Sequence, residues 1–458
     1  MTPSEYLKNK KVLVMGLGLL GGGIATTKWL AKHGAKVTVT DLKSRAELAS
    51  SVKLLQPAPG VRHRVSNIKL VLGRHDESDF KNNNIVVVNP AVPKESRFLK
   101  IALDSGAELE NEATLFFKFC KNPIIAVTGT RGKTTTVHWI HHFLKQKYPR
   151  TVLTGNSPEH PLLKELDKLD GQTPVVVEIS SWHLEFFNRP VPAPHIAVIT
   201  NLYPDHLNRH ADMNDYASAK ANIFKNQTQN DFLILNKKNP WTKFFLKQKP
   251  AGRVLFVPFP VSSRFPHLPP LGDHNLQNLM VAALAANLVG VDWRLIQRAA
   301  QTLPQIKFRE EVIYKKGNLT VINDTTATSP DATVAALARF ALYRSSTSII
   351  LVTGGTDKNL IFDDWARAVK KFVKPENLFL LDGSATPKML SALEKKNYFK
   401  KNAPQVFLDL EPLLTTAVKH AKMTPGRKIL LFSPSSASFE KFKNEFDRGE
   451  KFNKFFDQ

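Results

Sequence analysis

Lys133 and Thr134 close the run Val127-Thr128-Gly129-Thr130-Arg131-Gly132-Lys133-Thr134-Thr135. Their types and spacing are those of a triphosphate grip. The β-branched stretch 124–127 reads as a strand, the glycines as a tight loop, and Lys-Thr as the opening of a helix. Backbone N–H groups of Gly129, Thr130, Gly132 and Thr135 can wrap phosphate oxygens, and the helix N-terminus adds a favourable partial charge. A lysine at this point reaches the β- and γ-phosphates, and the Thr134 hydroxyl is placed to bind Mg²⁺. Val127 stands where the generic loop has its first glycine, so the pattern is the narrower Thr-Gly-Thr-x-Gly-Lys-Thr. The expected chemistry is the handling of a nucleoside triphosphate.

Further polar groups fall where strands should end. Glu178 follows the apolar run 175–177, Asn201, Asp205 and His206 follow 196–200, and Lys220 lies on a helix predicted over 214–224. A carboxylate, an imidazole and a hydroxyl near a triphosphate suit Mg²⁺ or the groups around it. Later in the chain, Asn323–Thr328, Gly354–Lys358 and Ser433–Ser438 each follow a strand pattern, and together offer an acid, a cation and hydroxyls. Such a mouth suits a small charged substrate and part of a nucleotide. Asp273 is expected to cap a helix running to about Leu288. Its neighbours His274, Asn275 and Asn278 suit a purine edge or a ribose. His138, His141 and His142 lack acidic or thiol companions and read as packing or surface residues.

These groups need parallel sheets to position them, since ligands in such sheets bind beyond the carboxyl ends of the strands. Three α/β blocks are predicted: up to Asn111, from Glu112 to Leu303, and onward from a hinge at Leu303-Pro304. Pro258–Pro270 is a surface excursion in the second. The first block has a strand over 11–15, the turn Gly16-Leu17-Gly18-Leu19-Leu20-Gly21, a helix through His33 and a strand ending at Asp41. This glycine pattern with an acid about twenty residues on marks a nucleotide diphosphate site. Taken alone it also fits an NAD-dependent oxidoreductase.

With 458 residues and 42% apolar residues, the chain can bury several cores. One cysteine, Cys120, excludes an intrachain disulfide and fits a reducing cytosol. Lys8, Lys10 and Lys11 before Val12–Leu20 mimic a secretory signal, but the glycines that follow mark a core strand and its turn. No apolar run has transmembrane length. The formal charge of +24 is spread over the whole chain. It reads as a solvated basic surface that favours anionic nucleotides, without a nucleic-acid module. A nucleic-acid-stimulated ATPase is the rival that this charge keeps open. Phe439, Phe442, Phe446, Phe452 and Phe455 have the spacing of a core-facing helix, with a membrane-surface helix as the lesser alternative.

Seven segments together resemble the Mur ligases: 127–135, 178–185, 201–209, 216–220, 272–275, 323–328 and 433–442. Their order and spacing match throughout, over essentially the whole chain. The resemblance implies three domains. They are a Rossmann-like UDP-binding domain (1–111), a central P-loop ATPase-like domain with a mostly parallel sheet (112–303), and a C-terminal Rossmann-like α/β domain (304–458). It implies a C–N bond-forming ligase that uses ATP and Mg²⁺ to activate a carboxylate as an acyl phosphate. The C-terminal pattern through Arg448-Gly449 is similar to the branch that adds D-glutamate to UDP-N-acetylmuramoyl-L-alanine in the cytoplasm. A sister ligase using another amino acid is the alternative.

By motif, Gly18, Leu19, Leu20, Asp41, Leu42, Asn156 and His206 would meet the UDP substrate. Gly129 to Thr135, Asn275, Arg309 and Asp324 would meet ATP. Thr328, Lys358, Ser438 and Phe446 would meet D-glutamate. Thr134, Glu178, His206 and a carbamylated Lys220 would hold metal. Lys133, Glu178, His206 and Lys220 would carry catalysis. The enzyme is expected to be a monomer with no nucleic-acid partner and no membrane insertion. The chain departs from the family pattern at Arg131, His183, Thr326, Ser435-Ser436 and Glu445-Phe446.

Overall fold

The computed structural model describes residues 1–19, 21–55, 68–155, 160–207, 209–258, 265, 268, 270–343, 347–400 and 403–457. Three sheets organise them. The first comprises β1 (Lys11–Met15), β2 (Lys36–Asp41), β3 (Ile68–Leu72), β4 (Ile85–Val88) and β5 (Glu108–Glu110), in the order β3-β2-β1-β4-β5. The second comprises β6 (Ile124–Thr128), β7 (Val152–Gly155), β8 (Val175–Glu178), β9 (Ile196–Ile199), β10 (Phe232–Asn236) and β11 (Arg253–Val257), in the order β11-β10-β9-β6-β8-β7. Every pairing in these two sheets is parallel. The third comprises β12 (Glu311–Lys316), β13 (Leu319–Asn323), β14 (Thr347–Gly354), β15 (Leu378–Leu381), β16 (Val406–Phe407) and β17 (Arg427–Phe432), in the order β12-β13-β17-β14-β15-β16. Only its edge hairpin β12–β13 is antiparallel.

The strands form where the sequence supplies short runs of β-branched residues. Ile85-Val86-Val87-Val88 and Val175-Val176-Val177-Glu178 are buried at every position. That is the pattern of parallel strands covered on both faces. In the third sheet the two faces can be read separately. Ile322, Leu351, Leu380 and Leu431 point into one apolar cluster, and Val321, Ile350, Leu381 and Leu430 into the other. Alternate residues along one strand therefore fill opposite cores. Phe452, fully buried, stacks on Phe432 with centroids 4.4 Å apart, and Phe442 and Phe455 pack against the same cluster. These three phenylalanines belong to the core, whereas Phe439 and Phe446 are exposed.

The chain divides into two compact units: Met1–Pro266 with Gln277–Thr302, and His267–Leu276 with Leu303–Gln458. The first contains the first two sheets, and the second contains the third sheet. The helix Gly272–Leu288 starts one residue before Asp273, so Asp273 sits in its first turn and is not the cap. Gly272, at φ +71°, makes the turn into that helix. Pro258–Pro270 lies mostly outside the described residues. Among the described residues, no helix is long and apolar enough to cross a membrane.

Candidate active site

The phosphate loop joins β6 to the helix Lys133–Leu144. Two glycines allow it to pass close to its supports. Gly129 has φ +144°, and a Cβ there would fall 1.9 Å from Thr200 Oγ1. Gly132 has φ +76°, and a Cβ there would fall 2.3 Å from Asn278 Oδ1. The loop is held from β9 and the residues after it. Thr130 N donates to Asn201 O at 3.0 Å, Arg131 N to Asn201 Oδ1 at 2.9 Å, and Thr200 Oγ1 to Arg131 O at 2.7 Å. Lys133 Nζ folds back onto Thr130 O at 3.0 Å. Lys133 and Thr134 are half-buried at the helix start.

Lys220 projects into the same region from the helix Met213–Ala221 and is 1% exposed. Its Nζ donates to Gly129 O at 3.1 Å and Thr128 Oγ1 at 3.4 Å, and lies 4.6 Å from the Tyr216 ring centroid. Burial first, and the charge of Lys133 second, hold this amine well below the usual lysine range. A buried neutral amine is a nucleophile. Tyr216, one helical turn earlier, places its hydroxyl 3.2 Å from Thr130 Oγ1. The i, i+4 spacing to Lys220 was its available sequence signal.

Glu178 is buried at the end of β8, whose last residue pairs with Val127. His206, at φ +55°, packs edge-on against Trp182 and Tyr216 with centroids 5.6 Å and 5.9 Å away. Among the described residues no group of three or more His, Cys, Asp or Glu could form a metal cage. Of the residues expected to hold metal, the Thr134 hydroxyl and the Glu178 carboxylate are oxygen donors of the kind Mg²⁺ takes, Lys220 becomes one only as a carbamate, and His206 is a nitrogen donor. His138, His141 and His142 pair with the backbone carbonyls of Thr134, Thr151 and Ala299, as packing histidines do.

In the first sheet the glycine turn follows β1. The Asp41 carboxylate accepts from Leu17 N at 2.9 Å, Gly18 N at 3.1 Å and Lys43 N at 2.9 Å. Asp41 therefore holds the turn in shape. Three of its lone pairs are occupied, unlike an acid presented to the ribose of NAD. Leu19 and Leu42 are exposed beside it. Leu20 and Asn156 lie outside the described residues.

The second unit carries another set. Arg309 is flanked by two residues in the left-handed region, Phe308 at φ +65° and Glu310 at φ +48°. Such strain persists only where the surroundings over-determine it. Here Phe308 N donates to Glu311 Oε2 and Glu310 N to Asp324 Oδ1. Thr326, one of the departures from the family pattern, donates through Oγ1 to Phe308 O at 2.9 Å. Asp324 also accepts from Ser433 Oγ at 2.8 Å, and burial, followed by the charge of Glu310, raises its pKa well above the carboxylate range. Asn275 Nδ2 donates to Glu310 Oε2 at 2.8 Å.

Thr328 and Lys358, predicted to meet one ligand, lie 3.3 Å apart through Oγ1 and Nζ. Ser438 Oγ is buried with no hydrogen-bond partner among the described residues. Phe446 is exposed, 6.2 Å from the Phe308 ring. Behind these loops Arg448 is fully buried and donates to Thr325 Oγ1 and O, Ser436 O and Ala437 O. It fixes the first loop to the last. Composition gave no sign of this, because burial of a guanidinium on carbonyls depends on tertiary packing.

Residues 10–110 match the N-terminal domain family of MurD-like Mur ligases, and residues 127–265 match the Mur ligase middle domain. The UDP-N-acetylmuramoylalanine–D-glutamate ligase of Roseiflexus sp. (strain RS-1) is 38% identical over 97% of this chain and 98% of its own. The enzyme of the same name from Borreliella afzelii (strain PKo) is 38% identical over 99% of both. Among solved structures, UDP-N-acetylmuramate-alanine ligase MurC from Thermotoga maritima is similar at a TM-score of 0.60, with 18% identity over 98% of this chain and 99% of that one. The last comparison concerns the fold alone.

Proposed function

The chain belongs to the Mur ligase family, and from that premise we propose that it joins D-glutamate to UDP-N-acetylmuramoyl-L-alanine at the expense of ATP. The observation that carries this reading is identity with ligases of that name over nearly the full length of both chains, combined with a phosphate loop whose glycines exclude any Cβ. The domain division 1–111, 112–303 and 304–458 is supported by one sheet in each segment. We assign the enzyme to the cytoplasm as a monomer.

A carboxylate is a poor electrophile, so the L-alanyl carboxylate first takes the γ-phosphoryl group of ATP. Lys133, released from Thr130 O, offsets the charge on the phosphoryl oxygens, while the amides of Gly129, Thr130, Gly132 and Thr135 hold the phosphates. Thr134, Glu178, His206 and a Lys220 carbamate would hold Mg²⁺, which would neutralise phosphate charge when bound. Neutral Lys220 can add CO₂, losing a proton and gaining an anionic carbamate. Asn275, Arg309 and Asp324 serve the adenine, phosphate and ribose. Gly18, Leu19, Leu20, Asp41, Leu42 and Asn156 serve the UDP substrate, with His206 on its muramoyl side, and Asp41 also holds Leu17 and Gly18 in their turn. Thr328, Lys358, Ser438 and Phe446 receive D-glutamate, whose amine attacks the acyl phosphate. The tetrahedral adduct then collapses with loss of phosphate.

Phosphate release with ATP, Mg²⁺ and the UDP-linked substrate tests this reading. D-glutamate should support turnover, whereas L-alanine, L-lysine and meso-diaminopimelate should not. Lys133→Ala should lower the rate by at least about 10²–10³-fold, the scale of one lost transition-state donor. Near-normal turnover in that variant, or release supported equally by another amino acid, would refute the assignment.

A further inference from the structure

Glu112 has no place in the roles assigned above, yet its carboxyl stands in the crevice where the first sheet reverses its strand order. That sheet runs β3-β2-β1-β4-β5, so its switch point lies between β1 and β4, where open parallel sheets take their ligands. A cavity of about 30 Å³ opens there, between Val14 of β1 and Val87 of β4, with room for a water. Glu112 opens the helix Glu112–Phe119, and an acid in that position ordinarily serves its own helix. This one reaches out of it. Its Oε1 accepts from Leu163 N at 3.4 Å, and a Cβ added to Gly22 would fall 3.3 Å from its Oε2. Gly22 begins the helix Gly22–Lys32, whose first turn presents N–H groups that have no partner within the helix. Besides Gly22, the groups around the carboxyl are Gly23 and Thr26 of that helix, Gly16 and Asn89 of the strand-end loops, and Leu162 and Leu163. None of them titrates, and no charged side chain among the described residues acts on Glu112. Burial, opposed by the N–H groups of Leu163 and then Leu162, raises its pKa to about 7.

We propose that Glu112 is a proton-linked substrate-binding residue: it takes up a proton when the diphosphate of the UDP substrate settles at the start of the helix Gly22–Lys32, and its neutral carboxyl then donates to a diphosphate oxygen. This rests on the reading above that the glycine turn after β1 receives that diphosphate. An ionised carboxylate beside a diphosphate is a like charge that opposes binding, and it can only accept hydrogen bonds. The protonated acid removes the repulsion and supplies one O–H donor. The proton comes from solvent, so above the pKa of the free carboxyl each rise in pH weakens binding, and below it the affinity is level.

The experiment measures binding of UDP-N-acetylmuramoyl-L-alanine alone, without ATP or D-glutamate, by calorimetry in buffers of different ionisation enthalpy, with the thermal midpoint of each protein recorded. Between pH 6 and pH 8 wild type should lose about tenfold in affinity and at pH 8 should take up about one proton per substrate bound. Glu112→Gln keeps a neutral donor. Its affinity should be the same at both pH values, within about threefold of wild type at pH 6, and its binding should take up no proton. Glu112→Ala should also be insensitive to pH, but about tenfold weaker than wild type at pH 6, as one lost hydrogen bond to a charged group implies. A merely structural Glu112, present to hold the Leu163 amide, would lower the midpoint of both variants and leave wild-type binding level across the range. That result overturns the proposal, and it needs no variant to fold. Undiminished pH dependence in Glu112→Gln gives the proton to another group and overturns it too. If wild type binds no UDP substrate at any pH, the reading of the first sheet as its site fails and this inference falls with it. If wild type binds with a level profile and no proton uptake, only the inference falls.

Discussion

A buried imidazole at position 183 replaces the glutamine of the family pattern. His183 is 4% exposed, donates its backbone N to Ser180 Oγ, the cap of its turn, meets the same hydroxyl through Nδ1 at 2.9 Å, and accepts from Asn111 Nδ2 through its carbonyl at 2.9 Å. Burial pushes its pKa down to about 4. The folded state therefore prefers the neutral ring. That preference contributes its full stability above the unfolded pKa of roughly 6.5 and is lost as the pH falls through about 4. Glutamine has no such titration. Between pH 7 and pH 4, wild type should lose on the order of 3 kcal/mol more than His183→Gln, with no difference in slope above pH 7. Urea midpoints for the two proteins at each pH decide the matter, and parallel curves through the acid range would sink the idea. Lys133, Thr134 and Lys220 were legible in the sequence because a phosphate loop is local and a lysine on a predicted helix can be assigned to a sheet edge. Thr200, Asn278 and Glu310 were not legible as supports. Each acts through a side chain that meets another part of the chain tens of residues away, and no periodicity records such a meeting.

The element that concentrates this problem is the strand–loop–helix from Ile124 to Leu144. Its strand was readable to within a residue, as were β1, β13 and β17, because buried parallel strands are short apolar runs closed by glycine or polar residues. What could not be read was the close approach that makes the loop a loop. At Gly132 the backbone is left-handed, and Asn278 from the helix Gly272–Leu288 occupies the space a Cβ would need. Gly132→Ala should cost about 1–2 kcal/mol for the backbone conformation alone, with the clash added. Combining it with Asn278→Ala removes the clash but not the conformational strain. The double variant should recover part of the lost stability in denaturant titrations, while phosphate release stays impaired because the loop amides remain displaced. Strict additivity of the two substitutions would show that the contact is irrelevant.

The whole chain carries a formal charge of +24 and, in this reading, its three substrates are all net anions, so its field favours each of them. Its division into two units is less obvious from the sequence. Residues 267–276 sit between stretches of the first unit yet belong to the second, where Glu310 and Arg339 hold Pro270, His274 and Asn275. The segment from Leu303 onward nevertheless contains all six strands of the third sheet and apolar clusters on both of its faces. A fragment of residues 303–458 should therefore unfold cooperatively on its own, as a domain with its own core does. Glu310 behaves differently in the two settings. In the full chain its carboxylate is buried against three donors, Asn275, His274 and Arg339, two of them supplied by residues the fragment lacks. Glu310→Gln should destabilise the full chain by at least about 1 kcal/mol more than it destabilises the fragment, since the lost partners account for the coupling. Denaturant titrations of the four proteins measure that difference. Equal costs would mean that His274 and Asn275 contribute nothing to holding the acid, and a fragment without a cooperative transition would mean that the third sheet cannot stand on its own cores.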